Sequence, residues 1–368
     1  MFKRKALAAA AAAVALTLLA ACGGGSGSGA ATGSGTGAAS GPDTVRLGGV
    51  VKANAGNWFY SVAIRKGIFD KYNIKLERVL APTSAAAITA LVAGDVDLTG
   101  PTFDAGIQAQ ANAPVIKWVG MGYSKFPYDL IVQPNINSVE DLKGKVCGGG
   151  VVKSADGMGA QVLIAAASNG TMKLDRDYQL ISLGASDLAT QTAALSSKQI
   201  QCIAQIPPTP SILSAQGYKV LVKADSVGDY GWPLYGLISS PKFYDQRPDV
   251  SARFFAAVME SIAWMYDPAN KQEAIDILAA EAEIKPEIAA FSYDLITLGG
   301  FAPDLKVTAK DLLSVKNGLA KQGVDLAAIT EANANSLIEP KVAQAAFQKL
   351  SPELQAKVTQ LSAQKQAG

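Results

Sequence analysis

The sequence contains no histidine among its 368 residues. Ser-His and Cys-His nucleophile pairs are therefore excluded, as are the common zinc sites built on imidazole. Cysteine is nearly as scarce, with three residues at Cys22, Cys147 and Cys202. An excess of one charge is lacking too. The chain has 33 Lys and Arg against 31 Asp and Glu. Three of the basic residues, Lys3, Arg4 and Lys5, sit at the very start, and without them 30 face 31. A nucleic-acid partner, which wants a basic face, is not expected. Aromatics make up only 7% of a chain rich in alanine, which favours helices packed on sheets over an all-β shell. Beyond the N-terminus no apolar run approaches a membrane span. The glycines Gly148 to Gly150 are not followed by the GKS/T ending of a phosphate loop.

What is present begins with a three-part N-terminus. The basic residues precede an uncharged apolar run from Ala6 to Leu19, the layout of a secretory signal. Leu19-Ala20-Ala21-Cys22 then resembles a bacterial lipobox, in which Cys22 receives a diacylglycerol and becomes the mature N-terminus. An ordinary signal peptide cut near Ala21 is the competing reading. Gly23 to Gly41 bury almost nothing and form a leash with a reach of about 25 Å. The expected organisation is a signal peptide at 1–21 and a lipidated cysteine with linker at 22–42. A first lobe begins at 43–130, a second occupies 131–237, and 238–368 returns to the first lobe and adds helices.

An internal echo supports the two lobes. GGVVKANAG at 48–56 matches GGVVKSADG at 149–157, and ALVAGDVDLTGPT from Ala90 has the same order of elements as ALSSKQIQCIAQIPPT from Ala194. Each half opens with a short apolar strand (Val45–Leu47; Lys145–Cys147) running into a glycine-rich loop and a helix. Each continues with a second strand (Ile74–Val79; Gln179–Leu183), an alanine- and leucine-rich helix, a third strand and a Pro/Thr loop. Alternating strands and helices indicate mostly parallel sheets with covered faces. YDLIVQP (Tyr128–Pro134) and YGLISSP (Tyr235–Pro241) bracket the second half as crossing strands. After Pro241 the pattern is helical: SARFFAAVMESIAWMY has helical spacing, Thr308 with Asp311 reads as a capping box, and Ser351 precedes Pro352 at a helix start. Asn169-Gly170-Thr171 fits a glycosylation sequon, but an Asn-Gly turn explains it better.

In order along the chain, AIRKGIFDKYNIKLERV, AAAITALVAGDVDLTGPT, SVEDLKGKVCGG, AALSSKQIQCIAQIPPT and LISSPKFYDQRPDVSARFFAAVMESIAWMYDP resemble the type II solute-binding proteins of ABC importers. The resemblance is to the branch of nitrate, sulfonate, taurine and thiamine-precursor binders, the NMT1-like branch. It implies an α/β, two-lobed fold with two crossing strands as hinge. It also implies a monomeric, extracytoplasmic receptor for a small-molecule solute, with no cofactor and no catalytic residues. Its partners would be ABC permease subunits with their cytoplasmic ATPase, and the membrane through the N-terminal lipid. A tethered sensor for a signalling partner, or an exported enzyme on the same fold, are the alternatives. The sequence departs from the family at Lys198 and Gln201, which stand where a glycine and an aspartate are frequent, and in the extra glycine of GGGVVKSADG. The enzyme branch that depends on histidine and a cysteine-rich iron motif is not matched.

Parallel sheets place ligands at the carboxyl ends of their strands. The candidate ligand-binding residues are accordingly Asn57, Trp58, Thr83, Ser84, Thr102, Phe103, Asp104, Tyr123, Ser154, Asp156, Thr209 and Trp232. Thr83 or Ser84 offers a hydroxyl at a helix start, with simple N-capping the equal alternative. Trp58, Phe103, Tyr123 and Trp232 could stack on a flat ligand, or pack within a lobe. Lys52 and Lys153 stand at equivalent places in the echo. Asp104, Asp156 and Asp187 leave an amine-bearing ligand open, and Gly56 and Gly157 would let backbone approach it. Cys147 and Cys202 fall on strands that neighbour each other in a 2-1-3 order, within reach of a disulfide, with two buried thiols as the alternative. Changing Cys22→Ala is expected to release the protein from membranes into the soluble fraction. Continued membrane association of the variant in a flotation assay would remove the lipid anchor.

Overall fold

The computed structural model describes residues 41–49, 55–150, 155–184, 188–228, 232–297 and 300–367. Cys22 with its linker, Lys52, Asn54, Lys153, Ser154 and Asp187 lie outside the described residues.

Short strands rich in Val, Leu and Ile alternate with alanine-rich helices, and they assemble into two five-stranded sheets. The first contains β1 (Asp43–Gly49), β2 (Ile74–Leu80), β3 (Leu98–Thr99), β4 (Lys117–Tyr123) and β10 (Tyr235–Ser239), in the order β2-β1-β3-β10-β4. The second contains β5 (Asp129–Val132), β6 (Val146–Gly149), β7 (Gln179–Ser182), β8 (Cys202–Gln205) and β9 (Lys219–Val222), in the order β7-β6-β8-β5-β9. The two plans are the same. In each, the first strand pairs in parallel with the second and third. The fourth place is taken by an antiparallel strand, β10 in one sheet and β5 in the other. These are the two segments that bracket the second half of the sequence.

Local chemistry sets the helix ends. Helix α3 (Ser84–Ala93) starts where the Thr83 hydroxyl accepts a hydrogen bond from the Ala86 amide at 3.1 Å. It stops at Gly94, whose φ of 85° is the left-handed conformation that glycine adopts without a Cβ penalty. The equivalent position after α6 (Leu188–Ser196) is Lys198, and its φ is 60°. The family's frequent glycine there thus has a backbone reason, and lysine holds the same turn at a cost of about 1 kcal/mol. Asn169 and Gly170 also take positive φ, 49° and 74°, as a turn.

After β10 the chain is helical. Helix α9 (Pro248–Met265) buries Phe254, Phe255 and Met259 completely, with Phe254 stacked on Phe69 at 5.6 Å. Each such side chain contributes about 1.5–3 kcal/mol by leaving water. Arg253 ties this helix to the first sheet, donating to Asp43 at 2.6 Å and to the Tyr72 carbonyl at 2.8 Å. The capping box at Thr308 and Asp311 opens α12 (Ala309–Lys321), and Pro352 opens α14 (Pro352–Ala367), with the Leu354 amide donating to Ser351.

Cys147 on β6 is registered opposite Cys202 on β8, and the two form a disulfide with their Cα atoms 4.6 Å apart. It closes a loop between residues 55 apart in sequence. Replacing both with alanine is expected to cost about 2–4 kcal/mol in denaturant unfolding. Peptide mapping of protein alkylated after unfolding without reductant should find neither residue modified; alkylation at both would rule the bridge out.

Candidate functional site

The carboxyl ends of the parallel strands in both sheets open onto one cavity of about 780 Å³. From the first sheet come Gly48 and Gly49 at the end of β1, and Arg78, Val79 and Leu80 at the end of β2. Thr83, Ser84 and Ala85 at the start of α3 continue this wall, with Gly100 and Thr102 after β3. The exposed face of α4 (Phe103–Asn112) adds Ala105, Gln108, Ala109 and Asn112. The second sheet supplies Ala155 and Asp156 from the start of α5 (Ala155–Ala167), and the run Gln205 to Thr209 that follows β8. Tyr128 and Tyr235, at the heads of the two antiparallel strands, line the cavity between the sheets. Ala282 and Ile284, at the end of α10 (Lys271–Ala282), cover it. Most of this wall is carbon, and its polar groups are few.

Those polar groups differ in how they are held. Asp156 is oriented by a chain of hydrogen bonds. Its Oδ2 accepts from the Gly150 amide at 2.8 Å and from Gln191 Nε2 at 2.6 Å. Gln191 Oε1 in turn accepts from Gln205 Nε2 at 2.7 Å. Asp104 is the opposite case. It is wholly buried in the first turn of α4, and no donor reaches either carboxylate oxygen with hydrogen-bond geometry. Burial pushes its pKa up to about 7, and the nearby Asp156 charge adds to that. The Thr102 hydroxyl and the amides of the helix start lie close enough to offset only part of the shift. Burial also holds the Tyr128 hydroxyl well above its usual range, reinforced by Tyr235, Asp156 and Asp104. Arg78 is lowered by burial, with Glu281 and Tyr60 opposing the shift.

Of the residues expected from the sequence, Asn57, Thr83, Ser84, Thr102, Asp156 and Thr209 line the cavity. The four aromatics do not. Trp58 is fully buried edge-on to Tyr293, at 5.7 Å. Phe103 stacks on Trp118 at 4.2 Å, Tyr123 meets Phe301 edge-on at 5.5 Å, and Trp232 packs on Phe126 at 5.6 Å. Each sits beside a loop in sequence but turns inward, because a ring beside a strand end buries more area in the core than at a wet rim. Asp104 lies beneath the wall and not in it, and Gly157 lies within α5. Thr83 spends its hydroxyl on the helix cap. Arg78, Tyr60, Gln108, Tyr128, Gln205 and Tyr235 also line the cavity without having been expected there. Tyr128 and Tyr235 were signalled by their matching places at the heads of the crossing strands. Arg78 was signalled by its position near the carboxyl end of a parallel strand and by its phase with Ile74 and Leu76 on the more buried face of β2. Among the described residues no group of three or more Cys, Asp or Glu could hold a metal ion.

Asp104 and Asp129, the latter pushed by burial up to about 6, both have folded-state values above the ordinary 3.8. At these two groups the folded chain binds more protons than the unfolded chain between about pH 4 and 7, so their contribution to stability falls as pH rises through that window. Asp104→Asn is expected to melt higher than the parent at pH 8, by an amount on the order of 2–4 kcal/mol. The gap should close toward pH 4. A gap of equal size at both pH values in thermal unfolding would assign the effect to packing and not to the buried charge.

No curated protein matches the sequence. Among solved structures, the chain is similar to the alkanesulfonate-binding protein SsuA from Xanthomonas axonopodis pv. citri bound to MOPS, with a TM-score of 0.62 and 17% identity over 83% of this chain and 99% of that one. It is similar to the periplasmic nitrate-binding protein NrtA from Synechocystis PCC 6803, at 0.65 and 16% over 85% and 91%. DszB in complex with biphenyl-2-sulfinic acid has the same fold, at 0.59 and 14% over 84% and 99%. These likenesses establish the two-lobed periplasmic-binding-protein fold. The sequence description of the NMT1/THI5-like family matches residues 54–271, more than half of the chain, and the chain belongs to that family.

Proposed function

We propose that the protein is the solute-binding component of an ABC importer, held outside the cell by a lipid on Cys22. It captures a small organic solute between its two lobes and delivers it to a permease. The observation that carries this reading is a cavity to which the strand ends of both sheets contribute, with a mainly apolar wall and some oriented polar groups. A cavity of about 780 Å³ suits a ligand with an organic body, and is far larger than an inorganic anion such as nitrate requires. The absence of histidine from the sequence supports binding over hydrolytic chemistry. Among the described residues no helix is long and apolar enough to cross a membrane.

The mechanism follows from the topology. Ligand settles against the first sheet, near Asn57, Thr83 and Ser84, and the wall at Asp156 and Thr209 closes over it. Closure requires that the ligand touch both lobes, because a ligand bound to one alone shifts no equilibrium. Native mass spectrometry of freshly purified protein is expected to reveal a bound small molecule that is released unchanged on unfolding. Small-angle scattering should then record a smaller radius of gyration when an emptied, open sample is saturated with it. Chemical conversion of the bound molecule would favour an enzyme, and an unchanged radius would remove the hinge.

A further inference from the structure

A relay of side-chain amides ends at the cavity wall with one oxygen unspent. Its direction starts at the Gly150 amide, which can only donate. Asp156 Oδ2 accepts from it at 2.8 Å, and accepts again from Gln191 Nε2 at 2.6 Å. Gln191 thus turns its own Oε1 toward Gln205, and Gln205 must present its nitrogen, which donates at 2.7 Å. Both amides are fixed against a flip, because reversing either would set oxygen against oxygen or nitrogen against nitrogen. What Gln205 has left is its Oε1, an acceptor with two lone pairs. No group among the described residues donates to that oxygen, and it is not one of the buried atoms shut away without a partner. Gln205 is only 8% exposed and lines the cavity, so the little surface it shows belongs to the cavity wall.

We propose that Gln205 is a specificity-determining residue of the cavity, and that its carbonyl oxygen takes an N–H or O–H donor from the solute. The inference rests on the receptor reading and names a chemical feature of its ligand. A solute that covers this oxygen without a donor strips it of water and leaves it unpaired, which is costly in a largely apolar cavity. A group with acceptors alone, such as a sulfonate or a nitrate, would set lone pairs against lone pairs here. Selection of this kind is steep, because a site built to hydrogen-bond a solute's N–H or O–H strongly rejects the analogue that lacks it. The relay to Asp156 holds the acceptor in place beforehand, so little ordering remains to be done on binding. Tyr128 is the neighbouring polar group: Asp129 on β5 is registered opposite Gln205 on β8, which sets Tyr128 one position away. It lines the cavity too, and burial keeps its hydroxyl protonated and able to donate in return. The apolar wall formed by Leu80, Ile88, Ile206 and Leu237 takes the body of the solute.

The test uses the full chain, stripped of bound solute by unfolding and refolding without reductant. It is offered an equimolar library of small amides, lactams, amines and alcohols, each with its fully N- or O-methylated counterpart, together with nitrate and alkanesulfonates. Native mass spectrometry identifies what is retained. The retained solute is expected to carry a donor, with its methylated counterpart held at least about tenfold more weakly. In Gln205→Met, which keeps the length of the side chain and removes its oxygen, that discrimination should fall toward parity. If Gln205→Met does not fold, Gln205→Asn, which keeps the amide but withdraws it by one methylene, is read in its place. Equal or preferential retention of donor-free solutes would overturn the assignment and leave the receptor reading standing. A preference for the donor that survives unchanged in the variant would overturn it as well. A chain that retains nothing from the library counts against the receptor reading, and the Gln205 assignment falls with it.

Discussion

Trp118 is the side chain on which the first lobe is built. It lies on β4, and its ring occupies the space that side chains would take at two glycines. A Cβ on Gly106 of α4 would come within 2.4 Å of it, and one on Gly236 of β10 within 2.3 Å. Phe103 stacks on its face, with the ring planes 5° apart. Its indole Nε1 donates to Gln110 Oε1 at 2.8 Å, and Gln110 Nε2 donates to the carbonyls of Ile116 and Leu337. One residue therefore fixes the returning strand, the helix after β3 and the C-terminal region against a single sheet. The first turn of α4, which carries Asp104, is held by the same packing. The Phe103 amide donates to the Leu234 carbonyl at 2.8 Å, so the segment coming back from the second lobe is tied to it too.

Much of this architecture is written in the sequence because it is written twice. The echo at 48–56 and 149–157 works because both stretches follow the first strand of a sheet with the same plan, and the repeated strand order is what puts Cys147 opposite Cys202. Residue type and backbone conformation part company at the turn positions Gly94 and Lys198. The two share a left-handed backbone, yet only one has the residue type that announces it. Trp118 gave no signal, since its importance depends on glycines on two other elements, at positions 106 and 236.

The lining of the candidate cavity was legible where it follows from backbone position and obscure where it depends on side-chain direction. Helix starts and strand ends can be located by pattern, and the expected Thr83, Ser84, Thr102, Asp156 and Thr209 do line the cavity. Whether a ring beside such a loop points to the cavity or the core is a packing outcome, and Trp58, Phe103, Tyr123 and Trp232 all went to the core. Arg78 was passed over although the pattern marked it: within IKLERVL, strand alternation puts it in phase with Ile74 and Leu76 on the more buried face, out of phase with the exposed Lys75 and Glu77.

In the proposed closure, the two antiparallel strands would let a site shared by two sheets keep its floor while its walls move. The chain crosses between the lobes just before β5 and again before β10. The Leu234 amide donates to the Tyr123 carbonyl at 3.0 Å beside the first sheet, and the Ala224 amide to Asp129 Oδ1 at 2.8 Å beside the second. In the proposed closure, the lobes would rotate about the crossings. Tyr128 and Tyr235 head the two antiparallel strands and line the cavity there, whereas Arg78 lines it from edge strand β2. A ligand held beside the tyrosines would then be recognised before closure, and the outer walls would decide whether the closed state is reached.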